Sequence, residues 1–206
     1  ATVRNHSGTH LLHAALREVL GHQAMQKGSL VGPDRLRFDF THDSPLSAEE
    51  IERIEDLVNT WIEDNTPGTT RIMSYDDAVA SGAIAIFDEK YGDDVRVVSF
   101  GDCSTELCGG THAQATGDIG LLRVISEGGI AAGIRRIEAL TGLGALKHSR
   151  GQEELGRRAA NLLKVPLADL PERLEKLLAE RRELEQQLED SKHSRRGDLA
   201  GDLIAQ

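Results

Sequence analysis

Two stretches of the sequence decide the fold and its chemistry: Asn5-His6-Ser7-Gly8-Thr9-His10-Leu11-Leu12-His13 and Glu106-Leu107-Cys108-Gly109-Gly110-Thr111-His112. Each stretch carries two metal-capable side chains that are four positions apart. His6 and His10 fall on one face of a predicted helix, because residues i and i+4 are neighbours one turn apart. Cys108 and His112 flank a Gly-Gly pair, which is typical of a tight loop that turns both side chains toward one point.

Together these side chains form a set of ligands that suits zinc. Zinc binds imidazole nitrogen and thiolate sulfur in a tetrahedron, so the sequence predicts a site made of His6, His10, Cys108 and His112. Four protein ligands are typical of a closed structural site, whereas a catalytic zinc keeps one position open. Two alternatives follow for a catalytic role. Either Cys108 or one histidine is displaced by water or substrate, or the zinc orients the substrate without making the nucleophile.

A simpler explanation is that the first helix is only rich in histidine. His13 and His22 also lie in this part of the chain, and an isolated HxxxH pair is usually two surface or half-buried histidines. The second stretch favours the metal site, because it combines Gly, Thr and Cys in a loop that has no evident packing use.

The spacing of apolar residues predicts helices interspersed with strands. Residues 4–20 are predicted to form a helix, and Gly32-Pro33-Asp34 predicts the turn of a hairpin that starts at Gln26. Ser47-Ala48-Glu49-Glu50 is a capping box that opens a second helix. Strands are predicted at residues 69–74, 95–100, 121–126 and 134–140, a short helix at 75–81, a polar loop at 88–94 and a glycine-rich loop at 127–133.

These elements predict an α+β fold, a mostly antiparallel sheet with helices packed on one face. The strand at residues 95–100 is expected to lead directly to the Cys108 loop. This domain is predicted to span residues 1–142. Residues 143–206 are predicted to form a C-terminal helical hairpin, a coiled-coil-like connector.

The second helix of that hairpin carries a heptad of leucines, interrupted by the polar Arg181. The 4-3-4-3 spacing is typical of a helix-packing seam and includes Leu170, Leu174, Leu177, Leu184 and Leu188. Two alternatives stay open: the second helix folds back on the first, or two copies of the chain dimerise through the seam.

Composition limits the classes of function. The 206 residues carry a formal net charge of −10, which is not the basic footprint of a nucleic-acid binder, so any nucleic-acid contact needs a local basic patch or other domains. Two cysteines do not make a disulfide framework, and Cys103 is expected to be an ordinary thiol. No apolar run is long enough to span a membrane, and no signal-peptide pattern is present. A cytoplasmic protein is therefore expected.

Four collinear segments resemble the editing domain of bacterial alanyl-tRNA synthetase. They are the His6–His10 segment, Gln26-Lys27-Gly28-Ser29, the Glu106–His112 segment and Gly133-Ile134-Arg135-Arg136-Ile137-Glu138. The resemblance covers residues 3–145 closely and the following helical region more loosely. It implies an internal fragment of that enzyme, without its aminoacylation domain and activity, in which the helices lead to a further C-terminal domain.

The resemblance implies hydrolytic proofreading at a zinc site. The substrate would be tRNA(Ala) mischarged with serine or glycine, and the reaction would cleave the ester at its 3′ end. A single water would attack the ester without a covalent intermediate. The remaining synthetase domains would be further partners.

The resemblance and the chemistry together nominate residues around the metal. Cys108, Gln26 and Thr9 are the catalytic candidates, and Thr9, Gln26, Gly109, Gly110 and Arg135 are the substrate-binding candidates. Each polar candidate has a simpler alternative. The Thr9 hydroxyl could bond to its own helix backbone, Gln26 could be a strand-edge residue, and Arg135 could form a salt bridge to Glu138 or another nearby acid.

Other classes of function are weaker or stay open. A zinc metalloprotease is excluded because Ser7, not Glu, follows the first histidine of His6-Ser7-Gly8-Thr9-His10, so the general base of that motif is missing. A non-catalytic domain that zinc stabilises and that binds tRNA or protein remains an alternative. A free-standing editing deacylase also stays open, although the heptad-bearing connector favours a synthetase fragment.

Overall fold

The computed structural model describes residues 1–85 and 92–204, with side chains up to residue 192. The chain divides into two compact units, Ala1–Ser149 and Arg150–Gln206. Its elements are α1 (Thr2–Leu20), β1 (Gln26–Val31), β2 (Leu36–Thr41), α2 (Ala48–Glu63), β3 (Gly68–Ser74), α3 (Tyr75–Ala80), β4 (Asp94–Phe100), β5 (Ser104–Leu107), β6 (Leu122–Ala131), β7 (Ile134–Thr141), α4 (Leu143–Leu163) and α5 (Leu170–Ile204).

The main core lies between helices α1 and α2 and a four-stranded antiparallel sheet of order β1-β2-β7-β6. Alternate residues of β2, namely Leu36, Phe38 and Phe40, are fully buried in this core, as expected for a strand with one face toward the helices. Leu11, Leu12, Ala15 and Leu16 supply the apolar stripe of α1. The predicted α+β class and the predicted hairpin of β1 and β2 are confirmed.

A second antiparallel sheet has the order β3-β4-β5. Strand β5 was not expected, because residues 95–100 were predicted to lead directly to the Cys108 loop. Its sequence, Ser104-Thr105-Glu106-Leu107, is a short polar run without the apolar alternation that marks a strand. Pairing with β4 and a bridge from Glu106 to Ile84 hold it in place. Most of the predicted polar loop at residues 88–94 lies outside the described residues.

The glycine-rich segment at residues 127–133 is mostly strand rather than loop. β6 continues to Ala131 and pairs with β7 through Gly128 opposite Arg136 and Gly129 opposite Arg135. The glycines lack side chains, but their backbone amides and carbonyls can still join the ladder of hydrogen bonds. The turn is therefore confined to residues 132–133.

The first turn of α1 is fixed against the main sheet. The Asn5 side-chain amide donates to the Gly32 carbonyl oxygen at 2.8 Å and accepts from the Thr141 hydroxyl at 2.6 Å. A Cβ atom on Gly8 would lie 3.0 Å from the Thr141 methyl group, so the helix backbone approaches β7 closely at this glycine. These contacts set the position of the two metal-capable histidines on α1.

The second unit contains the end of α4 and all of α5, and Pro166 lies between them. The seam leucines Leu174, Leu184 and Leu188 are 45%, 64% and 56% exposed. These three leucines are therefore not buried, and both the fold-back of the second helix and dimerisation through the seam stay predictions. Among the described residues, no helix is both long and apolar enough to cross a membrane.

The predicted capping box at the start of α2 is present and gives a test of the fold. The Ser47 hydroxyl accepts from the Glu50 amide at 3.1 Å, and the Glu50 carboxylate accepts from the Ser47 amide at 2.8 Å.

We predict that Ser47→Ala lowers the free energy of unfolding by about 1 kcal/mol, measured by urea denaturation. Ser47→Asp keeps an acceptor at the cap and should stay close to wild type. An alanine variant as stable as wild type would contradict the role of this cap.

Candidate metal centre

Helix α1 and the loop after β5 bring the four predicted ligands together. The donor atoms of His6, His10, Cys108 and His112 all lie within 4.8 Å of one another. The His112 ring lies 4.3 Å from the His6 ring and 4.8 Å from the His10 ring, measured between centroids. The Cys108 sulfur lies 3.5 Å from Nε2 of His6. Two stretches about a hundred positions apart therefore form one compact donor cluster.

The cluster contains nitrogen atoms that lack a partner. Nε2 of His10 and Nε2 of His112 are buried, and neither has a hydrogen-bond partner among the described residues. A buried polar atom left without a partner costs about 1–3 kcal/mol. A metal ion bound by these lone pairs would remove that cost, and three imidazoles with one thiolate are a donor set that zinc accepts. The residues present therefore fit zinc.

The Cys108 side chain is held in the form that binds metals. Burial alone would raise the pKa of this thiol, but the polar groups around its sulfur, namely the His10, His112 and His6 rings and the Gly110 amide, outweigh burial and lower its pKa to about 3. At neutral pH the group is a thiolate, which is the metal-binding form of cysteine.

A buried carboxylate, Glu106, stands behind His10. It is 1% exposed, and it accepts hydrogen bonds from Nδ1 of His10 and, at 2.7 Å, from Nδ1 of His13. Burial would raise the pKa of Glu106, but the charge and hydrogen bonds of the two histidines lower it to about 2. Burial would also lower the pKa of His10, but the charge of Glu106 and contacts with Cys108 raise it to about 9. Burial lowers the pKa of His112.

The loop that carries Cys108 and His112 is fixed by the protein itself. The Arg96 guanidinium on β4 donates to the carbonyl oxygens of Cys108 at 2.7 Å and Gly110 at 2.6 Å. At the other end, the Ser7 hydroxyl on α1 accepts from the Ala113 amide at 2.9 Å. His112 also borders a cleft of about 410 Å³ that is lined in part by Arg4 and Asp118.

The other predicted site residues make the following contacts. The buried Thr9 hydroxyl donates to the Asn5 carbonyl oxygen at 2.8 Å, the backbone contact foreseen as its alternative. The buried Gln26 amide donates to the Ser29 hydroxyl at 3.1 Å. Arg135 forms a bidentate ion pair with Glu127, at 2.6 and 2.8 Å, rather than with Glu138. Their roles in binding substrate stay predictions.

Sequence reasoning missed four residues that support the cluster: Ser7, His13, Arg96 and the carboxylate of Glu106. Recognition of β5 could have revealed Glu106, because alternation places it on the same side as the buried Ser104. No sequence signal singles out Arg96, which is one half-buried arginine among the valines of β4.

Comparisons with known proteins agree with the resemblance found in the sequence. Residues 95–138 match the family described as threonyl and alanyl tRNA synthetase second additional domain. The alanine–tRNA ligase of Mesorhizobium japonicum is 56% identical over 198 residues, covering 91% of this chain and 22% of the ligase. That of Bordetella petrii is 53% identical over 204 residues, covering 99% of this chain and 23% of the ligase.

The resemblance to alanyl-tRNA synthetase is therefore confirmed along nearly the whole chain. The chain spans less than a quarter of the length of these relatives.

The loop glycines give a matched pair of variants that test the metal centre. A Cβ atom on Gly110 would lie 2.1 Å from Cε1 of His6, whereas a Cβ atom on Gly109 would meet nothing within 4 Å. In Gly110→Ala the His6 ring must move away from the other donors. We predict that its zinc affinity, measured by competition with a chromophoric chelator, falls by about 10- to 100-fold, the range seen when support for a metal ligand is lost. Gly109→Ala should bind zinc like wild type. Equal affinities for both variants would contradict this geometry.

Proposed function

We propose that this chain carries an aminoacyl-tRNA deacylase site that removes serine or glycine esterified to the 3′ end of mischarged tRNA(Ala). The observation that supports it best is the half-buried cluster of three histidines and one cysteine. The cluster lies in a segment that matches alanine–tRNA ligases over 91–99% of the chain. The remainder of such a ligase would be a further partner.

In this proposal His6, His10, Cys108 and His112 hold a zinc ion. With one of these ligands displaced by water, the zinc would lower the pKa of that water from 15.7 to about 7; with all four in place, it would only orient the substrate. The protein supplies the rest. Arg96 and Ser7 keep the loop in place. Water attacks the ester carbonyl, the bond to the ribose oxygen breaks, and the free amino acid leaves.

Selectivity for serine over alanine needs a polar pocket. Serine is larger than alanine, so a pocket that excludes by size cannot accept serine and reject alanine. A pocket whose polar groups pair with the serine hydroxyl leaves those groups unpaired when alanine enters, which can discriminate by about 10⁴–10⁵-fold. Thr9 and Gln26 are the proposed partners of the hydroxyl. Both are buried, and the described contact of Gln26 uses its amide nitrogen rather than its carbonyl oxygen. Glycine has no hydroxyl, so this pairing explains the removal of serine and not that of glycine.

A second candidate function is a non-catalytic binding domain in which zinc only stabilises the fold. The closed set of four protein donors favours it, because such a set is typical of structural zinc. Against it, α1 and the Cys108 loop are joined without metal by Glu106, Ser7 and the apolar core. This argues that the fold does not depend on the ion.

Removal of the metal separates the two candidates. Because protein contacts already hold the cluster, we predict that the chelator-treated chain keeps its far-UV circular dichroism and a cooperative thermal transition but loses deacylation. Return of zinc should restore the activity. Unfolding of the first unit on chelation would support the structural role instead.

The catalytic proposal is tested by deacylation of Ser-tRNA(Ala) and Ala-tRNA(Ala) with bound zinc counted in each sample. We predict rapid release of serine but not alanine, and a fall to the uncatalysed rate in Cys108→Ala, which removes the thiolate ligand. Cys103→Ala is the matched control, because Cys103 is the other free cysteine and packs against the core. Its serine release should match wild type.

Serine and alanine release should also be compared between a full-length alanine–tRNA ligase and its variant with the corresponding cysteine replaced by alanine. The longer protein is needed because tRNA binding can involve domains outside the matched segment. Serine release that survives replacement of this cysteine, in the chain or in the ligase, would contradict the proposal.

A further inference from the structure

Glu106 is shared between two histidines of the same helix face. His10 and His13 are three positions apart on α1, and each donates from Nδ1 to a different oxygen of this carboxylate. All three side chains are at most 4% exposed. Of the two histidines, only His10 belongs to the cluster of four donors.

The carboxylate determines which nitrogen of His10 is available to a metal. An ionised carboxylate only accepts hydrogen bonds, so Nδ1 of His10 must carry its proton. In the neutral form that binds a metal, the ring then has its lone pair on Nε2, which is buried and has no hydrogen-bond partner among the described residues. Glu106 thus selects the tautomer of His10 that can bind a metal and fixes the rotation of its ring.

His13 holds the carboxylate in turn. Its Nδ1 lies 2.7 Å from the second oxygen of Glu106, and its ring packs against Phe38 with 5.2 Å between centroids. With both oxygens engaged by α1, the carboxylate cannot rotate without losing a buried hydrogen bond. The position of His13 is itself fixed by the core, since both His13 and Phe38 are fully buried.

We infer that Glu106 and His13 are positioning residues of the metal centre, which act through His10 and do not bind the metal themselves. This inference rests on the proposed metal centre and deepens it. A purely structural role, in which Glu106 only ties α1 to β5, would change the stability of the fold and leave the metal affinity of folded protein unchanged.

The test measures zinc affinity by chelator competition, together with the visible spectrum of the Co²⁺-loaded protein. Glu106→Gln keeps the shape but offers an amide donor toward one histidine, so His10 or His13 loses its partner. Its zinc affinity should fall by about 10- to 100-fold, and the Co²⁺ spectrum should change. Glu55→Gln is the matched control. Glu55 on α2 is another buried carboxylate, and it forms an ion pair with Arg123 on β6. Its affinity should stay at the wild-type value.

Two substitutions of His13 test the relay, meaning the hydrogen bonds that link His13 through Glu106 to His10, without changing Glu106. His13→Leu removes the donor and should weaken zinc binding, whereas His13→Asn keeps an N–H group near the position of Nδ1 and should bind zinc more tightly than His13→Leu. In the Glu106→Gln background, His13→Leu should have no further effect on affinity, because the carboxylate that links it to His10 is gone.

The outcomes separate this inference from the proposed function. Absence of zinc binding by the wild-type chain would overturn the metal centre itself. Tight wild-type binding with an unchanged affinity in folded Glu106→Gln would overturn the relay and leave the metal centre standing. If Glu106→Gln does not fold, as judged by circular dichroism, His13→Leu decides: a wild-type affinity in that variant overturns the relay.

Discussion

The hydrogen bonds from His10 and His13 to Glu106 join the two halves of the first unit. Helix α1 packs on the four-stranded sheet, and Glu106 lies on β5 of the three-stranded sheet. This buried charge could not persist without partners, because an isolated ionised carboxylate is strongly disfavoured in a protein interior. The same contacts that satisfy the carboxylate therefore bring α1 to the loop that carries Cys108 and His112.

The surrounding residues follow from that constraint. The loop must return to α1 within four positions of Cys108, and Gly110 permits this because its backbone lies against the His6 ring. Arg96 supplies donors for two loop carbonyl oxygens that would otherwise lack them. The result is a preformed set of donors held by the protein, and preformed geometry is what a metal site needs for high affinity and defined chemistry.

The donor cluster could be predicted from the sequence because local rules place its members in pairs. The i, i+4 spacing places His6 and His10 together, and the Gly-Gly loop does so for Cys108 and His112. The meeting of the two pairs, and the residues that support them, depend on tertiary contacts. β5 was missed because its polar residues do not alternate with apolar ones, and Glu106 was missed with it. Glu127 could not be singled out as the acid that pairs with Arg135, because the glycines of β6 extend a strand that their composition predicts as loop.

The central claim is that one metal ion is bound by three imidazoles and the thiolate of Cys108. X-ray absorption spectroscopy of the zinc-loaded Cys103→Ala protein tests it most directly, because the only sulfur from cysteine is then Cys108. The account predicts one sulfur at about 2.3 Å and three nitrogens at about 2.0–2.1 Å. A shell without sulfur, made only of nitrogen and oxygen, would contradict it.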